Sequence, residues 1–446
     1  MSMDEQERAG SPADEYIGND EVEQVIEVEG DEPEDMDMEP EDAEDEGEGE
    51  GEGEGAGEGD VMEETVEVDL SNNSRAYFDK HTDSVFVVTH HPQLPLVASG
   101  GGDNLIHLWT SHSQPTKFAG TLEGHTESVI AIHFTPDGKF LVSADMTGKV
   151  LVHVSLKGGA QWKLVSELQE VEEIVWLKVH PKLSGAFAFG ATDGSVWCYQ
   201  INGEGAQASL EQLMSGFSHQ SECTMGEFIN IEQSEELGTL ELVTCSLDST
   251  IVGWNCYNGQ ANFKVTQAEL KGMEVPWISL AVAPSSVTNG NGGVLACGSN
   301  NGIIAILNCN NNGAVLHMSG VIELKPDQEE LDASIESIAW AHGFPMMAIG
   351  LVGGEILLYD TNMWRVRRKF VMEDSATKLT FDSRDNLFVS CINGKVYEYD
   401  PRTGQEKFVY VGHNMGVLDF ALTEKDDTRR LITAGDEGVS LIFDIQ

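Results

Sequence analysis

The sequence is short of positive charge. Only 25 of its 446 residues are Lys or Arg against 76 Asp or Glu, for a formal net charge of -51. That imbalance argues against holding DNA, RNA or an anionic membrane through bulk electrostatics, and favours a basic partner. Long apolar runs are missing too. None approaches the roughly 20 residues of a membrane span, and the first residues have neither a basic n-region nor an apolar h-region. A soluble, unsecreted protein is expected, in the cytoplasm, with a visit to the nucleus left open. Seven cysteines (198, 223, 245, 256, 297, 309 and 391) are scattered without a CxxC pair. Neither a disulfide framework nor a zinc site is indicated, and a reducing compartment suits them. Motifs of catalysis are absent as well: there is no GxxxxGK[ST] phosphate loop, no HExxH and no GxSxG, and the run SGGGD reads as a turn between strands. His90 and His91 have no acidic or cysteine partner at ligand spacing. No metal, cofactor or enzymatic activity is expected, which leaves binding as the working class.

What is present is unevenly distributed. Residues 1–70 hold 31 acids and one base, Arg8, a net of -30, while the remainder nets -21. The stretch DEPEDMDMEPEDAEDEGEGEGEGEGAGEGD offers almost nothing apolar to bury, and its glycines raise backbone entropy. Residues 1–64 are therefore expected to form a disordered acidic tail, and residues 65–446 the folded part. Composition leaves two roles open for the tail, a solubilising brush or a tether for a basic ligand.

The folded part repeats. GGDNLIHLW, ATDGSVWCY, SLDSTIVGW, NNGIIAIL, VGGEILLY, INGKVYEY and DEGVSLIF each read as a turn followed by a strand. The equivalent turn positions are Asp103, Thr147, Asp193, Asp248, Asn301, Gly353, Asn393 and Glu437, spaced 40 to 55 residues apart. Six residues on lie Trp109, His153, Tyr199, Trp254, Leu307, Tyr359, Tyr399 and Phe443, mostly aromatics suited to packing between neighbouring sheets. Period, short β-rich segments and glycine-marked turns resemble WD repeats, whose blades are four-stranded sheets set radially. His81, Ser99, Asp103 and Trp109 match that family's His, Ser, Asp and Trp pattern, and Gly124-His125 and Gly412-His413 repeat its GH dipeptide. The fold class expected is all-β, an eight-bladed propeller. Because the chain stops at SLIFDIQ, the last blade lacks an outer strand, and SRAYFDKH at 74–81 is placed to supply it and close the ring. A closed ring has no need of self-association, so a monomer is expected.

In such a propeller, the link into each innermost strand runs over the top face beside the central channel. Aligned on the first apolar strand residue, the links carry Asp83, Glu127, Glu172, Met225, Trp277, Glu336, Thr377 and Met415. Four are carboxylates and none is basic. Capping of turn amides explains any one of them. As a set they form a ring of like charge whose repulsion a cationic ligand would relieve, with Glu173, Asp374 and Asp436 adding to it. Met225, Trp277 and Met415 are candidate apolar contacts. The implied ligand is a peptide rich in Arg and Lys with a few apolar anchors.

A closer resemblance rests on VDLSNNSRAYFDKHTDSVF, GGGDNLIHLWTSHSQPTKFAGTL, KGGAQWKL, VEEIVWLK, FGATDGSVWCYQIN, LVTCSLDSTIVGWN, ELDASIESIAW and GHNMGVLDF. These runs are similar to the fungal ribosome-assembly family called suppressor of QSR truncations, across residues 65–446. The resemblance implies a dedicated chaperone. Its client is the nascent, basic N-terminal segment of the large-subunit ribosomal protein of the universal L-sixteen, eukaryotic L-ten, family. The client is held on the top face until it joins the pre-60S particle, which the chaperone meets transiently. Asp83, Glu127, Glu172, Glu336 and Asp436 stand in the matching runs and carry over as client-binding candidates. The alternatives from other classes are a multi-partner scaffold, as in the more distant angio-associated migratory cell proteins, and an escort of another basic protein such as a histone. A scaffold would survive charge reversal of the mouth. A histone escort would depend on the tail.

Overall fold

The turn-plus-strand repeats become sheets of one kind. A computed structural model of the chain describes residues 71–324, 326, 328–425 and 428–446; the acidic tail expected over 1–64 lies outside the described residues. Eight four-stranded antiparallel sheets form, in seven of which the strands follow one another in chain order from the innermost outwards. Blade 1 is Val85–His90, Leu96–Gly101, Ile106–Thr110 and Phe118–Leu122. The innermost strands of blades 2 to 8 are Val129–Phe134, Ile174–Val179, Cys223–Ile229, Trp277–Val282, Ile335–Trp340, Ala376–Phe381 and Val417–Lys425. Val85–His90 packs on blade 2 at one side and on blade 8 at the other, which closes the ring.

Closure uses the strand that the sequence suggested. Ala76–Phe78 pairs antiparallel with Ser440–Asp444, Ala76 opposite Ile442 and Phe78 opposite Ser440, as the fourth strand of blade 8. Phe78 then stacks on Trp109 of blade 1 at 4.9 Å between ring centroids. Asn73 donates from Nδ2 to the Val409 carbonyl and accepts the Val411 amide on Oδ1, tying the entering chain to blade 7 as well.

Each blade presents two apolar faces, and the core is the set of seams between them. One buried cluster lies between every neighbouring pair of blades, eight in all. The second strands, such as LVASGG and FLVSAD, are buried along their whole length because both faces are covered, so they read as continuous apolar or small-residue runs instead of alternating. All eight residues expected to pack between sheets, Trp109 to Phe443, are buried. The seven cysteines are free and buried in these seams, and burial pushes the Cys245 thiol up to about 12.

One irregularity recurs in every blade. After its first residue the innermost strand shifts register against the second, at Val85/Val87, Val129/Ala131, Ile174/Trp176, Cys223/Met225, Trp277/Ser279, Ile335/Ser337, Ala376/Lys378 and Val417/Asp419. Such a bulge inserts one unpaired residue and re-aims the chain at the mouth of the ring.

Candidate functional site

The loops at one end of the ring are held together by a hydrogen bond that occurs once per blade. The residue just before each innermost strand gives its carbonyl to an amide in the turn between the second and third strands. The acceptors are Ser84, Ser128, Glu173, Glu222, Pro276, Ser334, Ser375 and Gly416, at 2.9 to 3.3 Å from the amides of Gly102, Met146, Thr192, Leu247, Asn300, Val352, Ile392 and Asp436. Both sets of loops therefore share the top face, and their equivalent positions are fixed.

Behind these loops lies a buried polar lock. In blade 1 the His81 Nδ1–H donates to Asp103 at 2.9 Å, its Nε2 accepts from the Ser99 hydroxyl at 2.9 Å, and the Trp109 indole donates to the same Ser99 oxygen at 3.0 Å. All four residues singled out for the WD pattern meet. Burial opposes ionisation of Asp103 most strongly, but the hydrogen bond and charge of His81 together with the Thr82 and Leu105 amides outweigh it and hold the carboxyl below its usual value. Blade 2 builds the lock from His125, Ser143 and Asp145, where burial is again outweighed, here by His125 and backbone amides, and the Asp145 pKa falls to about 2. Blade 4 uses His219, Thr244, Thr250 and Trp254, and blade 8 uses His413, Thr433 and Glu437. Among the described residues, His81, Asp103 and His107 bring donor atoms close enough to hold a metal. The Asp103 oxygens there already accept from His81 and from the Thr82 and Leu105 amides. His91 likewise spends both ring nitrogens on the Gln93, Leu94 and Gly138 backbone, so HHPQ is a turn.

The mouth itself is a different chemical setting. One residue before each carbonyl acceptor stand Asp83, Glu127, Glu172, Ser221, Val275, Ala333, Asp374 and Met415. Asp83, Glu127, Glu172 and Met415 hold the positions expected of them, and Asp374 proves to be the true equivalent in blade 7. Four assignments from the apolar alignment are out of register. Met225 lies beyond the bulge and lines the central channel. Trp277 begins its strand and is 0% exposed within the blade 4 to 5 seam, which removes it as an apolar contact. Thr377 and Glu336 are the bulge residues of their strands. The extra residue breaks the alternation on which the alignment relied, so its register slipped by two to four positions.

Correct register exposes carboxylates that the sequence reading missed. Blade 4 supplies Glu222, blade 5 Glu274, blade 6 Asp332 and blade 7 Glu373, each within the same three-residue link. The links 82–84, 126–128, 171–173, 220–222, 274–276, 332–334, 373–375 and 414–416 together hold nine carboxylates and neither Lys nor Arg. Blade 8, whose link has none, brings Asp436 from the adjoining turn, where it accepts the Ser84 hydroxyl at 2.7 Å. A signal for Glu222 was present: His219 stands four residues before Cys223, as His81 does before Val85 and His125 before Val129.

Most of these groups are poised for an external partner. Glu127, Glu172, Glu173, Glu222 and Glu274 have no hydrogen-bond or ion-pair partner on their side chains among the described residues. Asp83 and Asp374 accept only the amide of the next residue, at 2.7 and 2.8 Å. Glu336 accepts the Ser334 hydroxyl at 2.8 Å and lines, with Met225, a channel cavity of about 560 Å³. Deeper in the channel the cations are already matched: Lys178 pairs with Glu227 at 2.8 Å, which raises its pKa, and Lys378 pairs with Asp419 at 2.7 Å. Paired charge in the channel and unpaired charge around its mouth leave the mouth with a net negative field.

Comparison with known proteins agrees with this geometry. The family model described as WD domain, G-beta repeat matches residues 72–110 and 116–153. The chain is 69% identical to the ribosome assembly protein SQT1 of Saccharomyces cerevisiae over 389 residues, 86% of this chain and 89% of the relative. The crystal structure of that yeast protein superposes with a TM-score of 0.82, over 84% of this chain and all of the other. Sqt1 of Chaetomium thermophilum, solved bound to the N-terminus of the ribosomal protein L10, is 28% identical with a TM-score of 0.72, over 84% of this chain and all of that one. An eight-bladed WD-repeat ring, closed by its own N-terminal strand and alike to the yeast protein along nearly its whole length, places this chain in the Sqt1 family of ribosome assembly proteins.

Proposed function

We propose that the protein is a dedicated chaperone for ribosomal protein L10, binding the basic N-terminal segment of the newly made client on the acidic top face. The observation that carries this reading is the mouth, where every blade contributes a carboxylate from its top loops and half of them, Glu127, Glu172, Glu173, Glu222 and Glu274, have no side-chain partner among the described residues. The Chaetomium relative, solved with the N-terminus of L10, supports the choice of client. Client Arg and Lys side chains pair with Asp83, Glu127, Glu172, Glu173, Glu336, Asp374 and Asp436, and with Glu222 and Glu274. Met415, half exposed on the rim, is available to an apolar side chain. Each partly solvated pair is worth only about 0 to 1 kcal/mol, so the ring acts as a sum, giving fast encounter and strong salt dependence. Covering the client's cations keeps it from sticking to RNA, and release follows when the pre-60S particle offers a denser array of phosphates. The protein works by binding, without catalysis, as a monomer in the cytoplasm.

Calorimetry with the L10 N-terminal peptide at two salt concentrations tests this, on the full chain and on Glu336→Lys. Salt-sensitive binding that the reversal weakens supports the top face. Equal binding by both proteins would move the client to another surface.

A further inference from the structure

The basic residues that the protein does have are not spread evenly. The outermost strand of blade 6, Arg365–Val371, reads RVRRKFV, with four bases and no acid in seven residues. The other seven outer strands carry at most one base each. Lysine or arginine on an exposed edge strand guards against edge-to-edge pairing, but the other blades manage that with one or none. Two of the four bases are spoken for: Arg367 pairs with buried Asp360, and Lys369 with buried Glu355 at 2.5 Å. Among the described residues Arg365 has no ion pair, and Arg368 donates only to the Arg402 carbonyl at 2.9 Å.

These side chains line a groove of about 730 Å³ with Phe344, Pro345 and Arg402. Phe344 lies between the first and second strands of blade 6, and Arg402 between the third and fourth of blade 7. Both connections are at the bottom face, opposite the acidic mouth. The Arg402 guanidinium carbon sits 4.4 Å from the Phe344 ring centroid, within cation–π range, and its side chain is 64% exposed. Its single ion pair, to Asp385, is long at 3.9 Å.

We infer that this bottom groove between blades 6 and 7 is a binding site for single-stranded RNA. Arg365 and Arg368 present guanidinium forks suited to phosphate oxygens, and the exposed Arg402 guanidinium, anchored on Phe344, can stack on a base. An acidic peptide fits less well. The bulge at Arg367 interrupts the strand edge that would take an added strand. The overall charge of the chain limits such binding to this local patch. The inference is independent of the client-binding reading, because the two faces share no residue.

Fluorescence anisotropy of a labelled 12-nucleotide oligouridylate with the full-length protein at low salt tests it. The expected result is measurable binding that the Arg365→Ala/Arg368→Ala protein weakens about tenfold, with the slope of log K against log salt shallower by about 1.4 for two lost phosphate contacts. Lys163→Ala, on the exposed outer strand of blade 2, should leave binding unchanged. Absence of binding by the unaltered protein, equal binding by the double variant, or an equal loss in Lys163→Ala would each overturn the proposal. Tighter binding of a 12-residue polyglutamate than of the RNA would also overturn it, assigning the groove to acidic peptides.

Discussion

The top loops hold two populations of carboxylates a few residues apart, and their difference separates stability from recognition. Asp103, Asp145 and Asp248 sit under the loops, accept hydrogen bonds from histidines, hydroxyls and amides, and are held below the usual carboxylate pKa against the cost of burial. Asp83, Glu127, Glu172 and Glu222 lie at the mouth and have little or nothing among the described residues to pair with. The same residue type in the same loop serves the fold when it is enclosed and a partner when it is not.

Substitution of each kind tests that division. The largest effect should come from Trp277, which the alignment placed at the mouth and the fold places in the core: Trp277→Ala is expected to cost about 3–5 kcal/mol of stability by denaturant titration. A small loss there, with a loss of client binding, would restore it to the rim. Asp145→Ala should destabilise by about 1–3 kcal/mol, since His125 and the Thr126, Thr147 and Lys149 amides lose their acceptor, with client affinity unchanged by calorimetry. Glu336→Lys should do the reverse, weakening the client peptide about tenfold, which is about 1.4 kcal/mol, with no change in the denaturation midpoint.

Acid sharpens the contrast. The pKa of Asp145 is depressed to about 2 in the folded state, so its contribution is complete above the ordinary value near pH 4 and is lost as pH falls towards 2. Stability should fall over that window, and Asp145→Asn should flatten the fall. The smallest effect is expected at Lys395, 3.6 Å from exposed Glu373: Lys395→Ala should change stability by less than about 1 kcal/mol and strengthen client binding slightly, because it frees a mouth carboxylate.

Much of this was legible in the order of the residues. Turn positions 103 to 437, the eight aromatic or apolar partners six residues on, and the closing strand at 74–81 all follow from local chemistry that a repeat must restate in every blade. The mouth was half legible. Asp83, Glu127 and Glu172 precede strands whose apolar residues start where the pairing starts. In blades 4 to 7 the strand starts with residues such as Cys223 and Ala376, or carries a polar bulge residue such as Glu336, so hydropathy marked the wrong beginning. What fixes the register there is a backbone hydrogen bond between two loops, which has no side-chain signature. The histidine lock gives a partial substitute in blade 4 and none in blades 5 to 7. The RVRRK run was visible throughout, but its significance depends on Phe344 and Arg402 meeting it from two other loops.

The closing strand also has a meaning in time. Ala76–Phe78 leaves the ribosome long before its partner, Ser440–Asp444. Blades 1 to 7 contain all their own strands and can form as they emerge, whereas blade 8 and the seams on either side of it must wait for Ser440–Asp444. Until then Phe78 and the face of Trp109 that it covers have no lasting cover. A ribosome assembly protein whose proposed client is a nascent chain thus keeps its own ring open until Ser440–Asp444 has emerged.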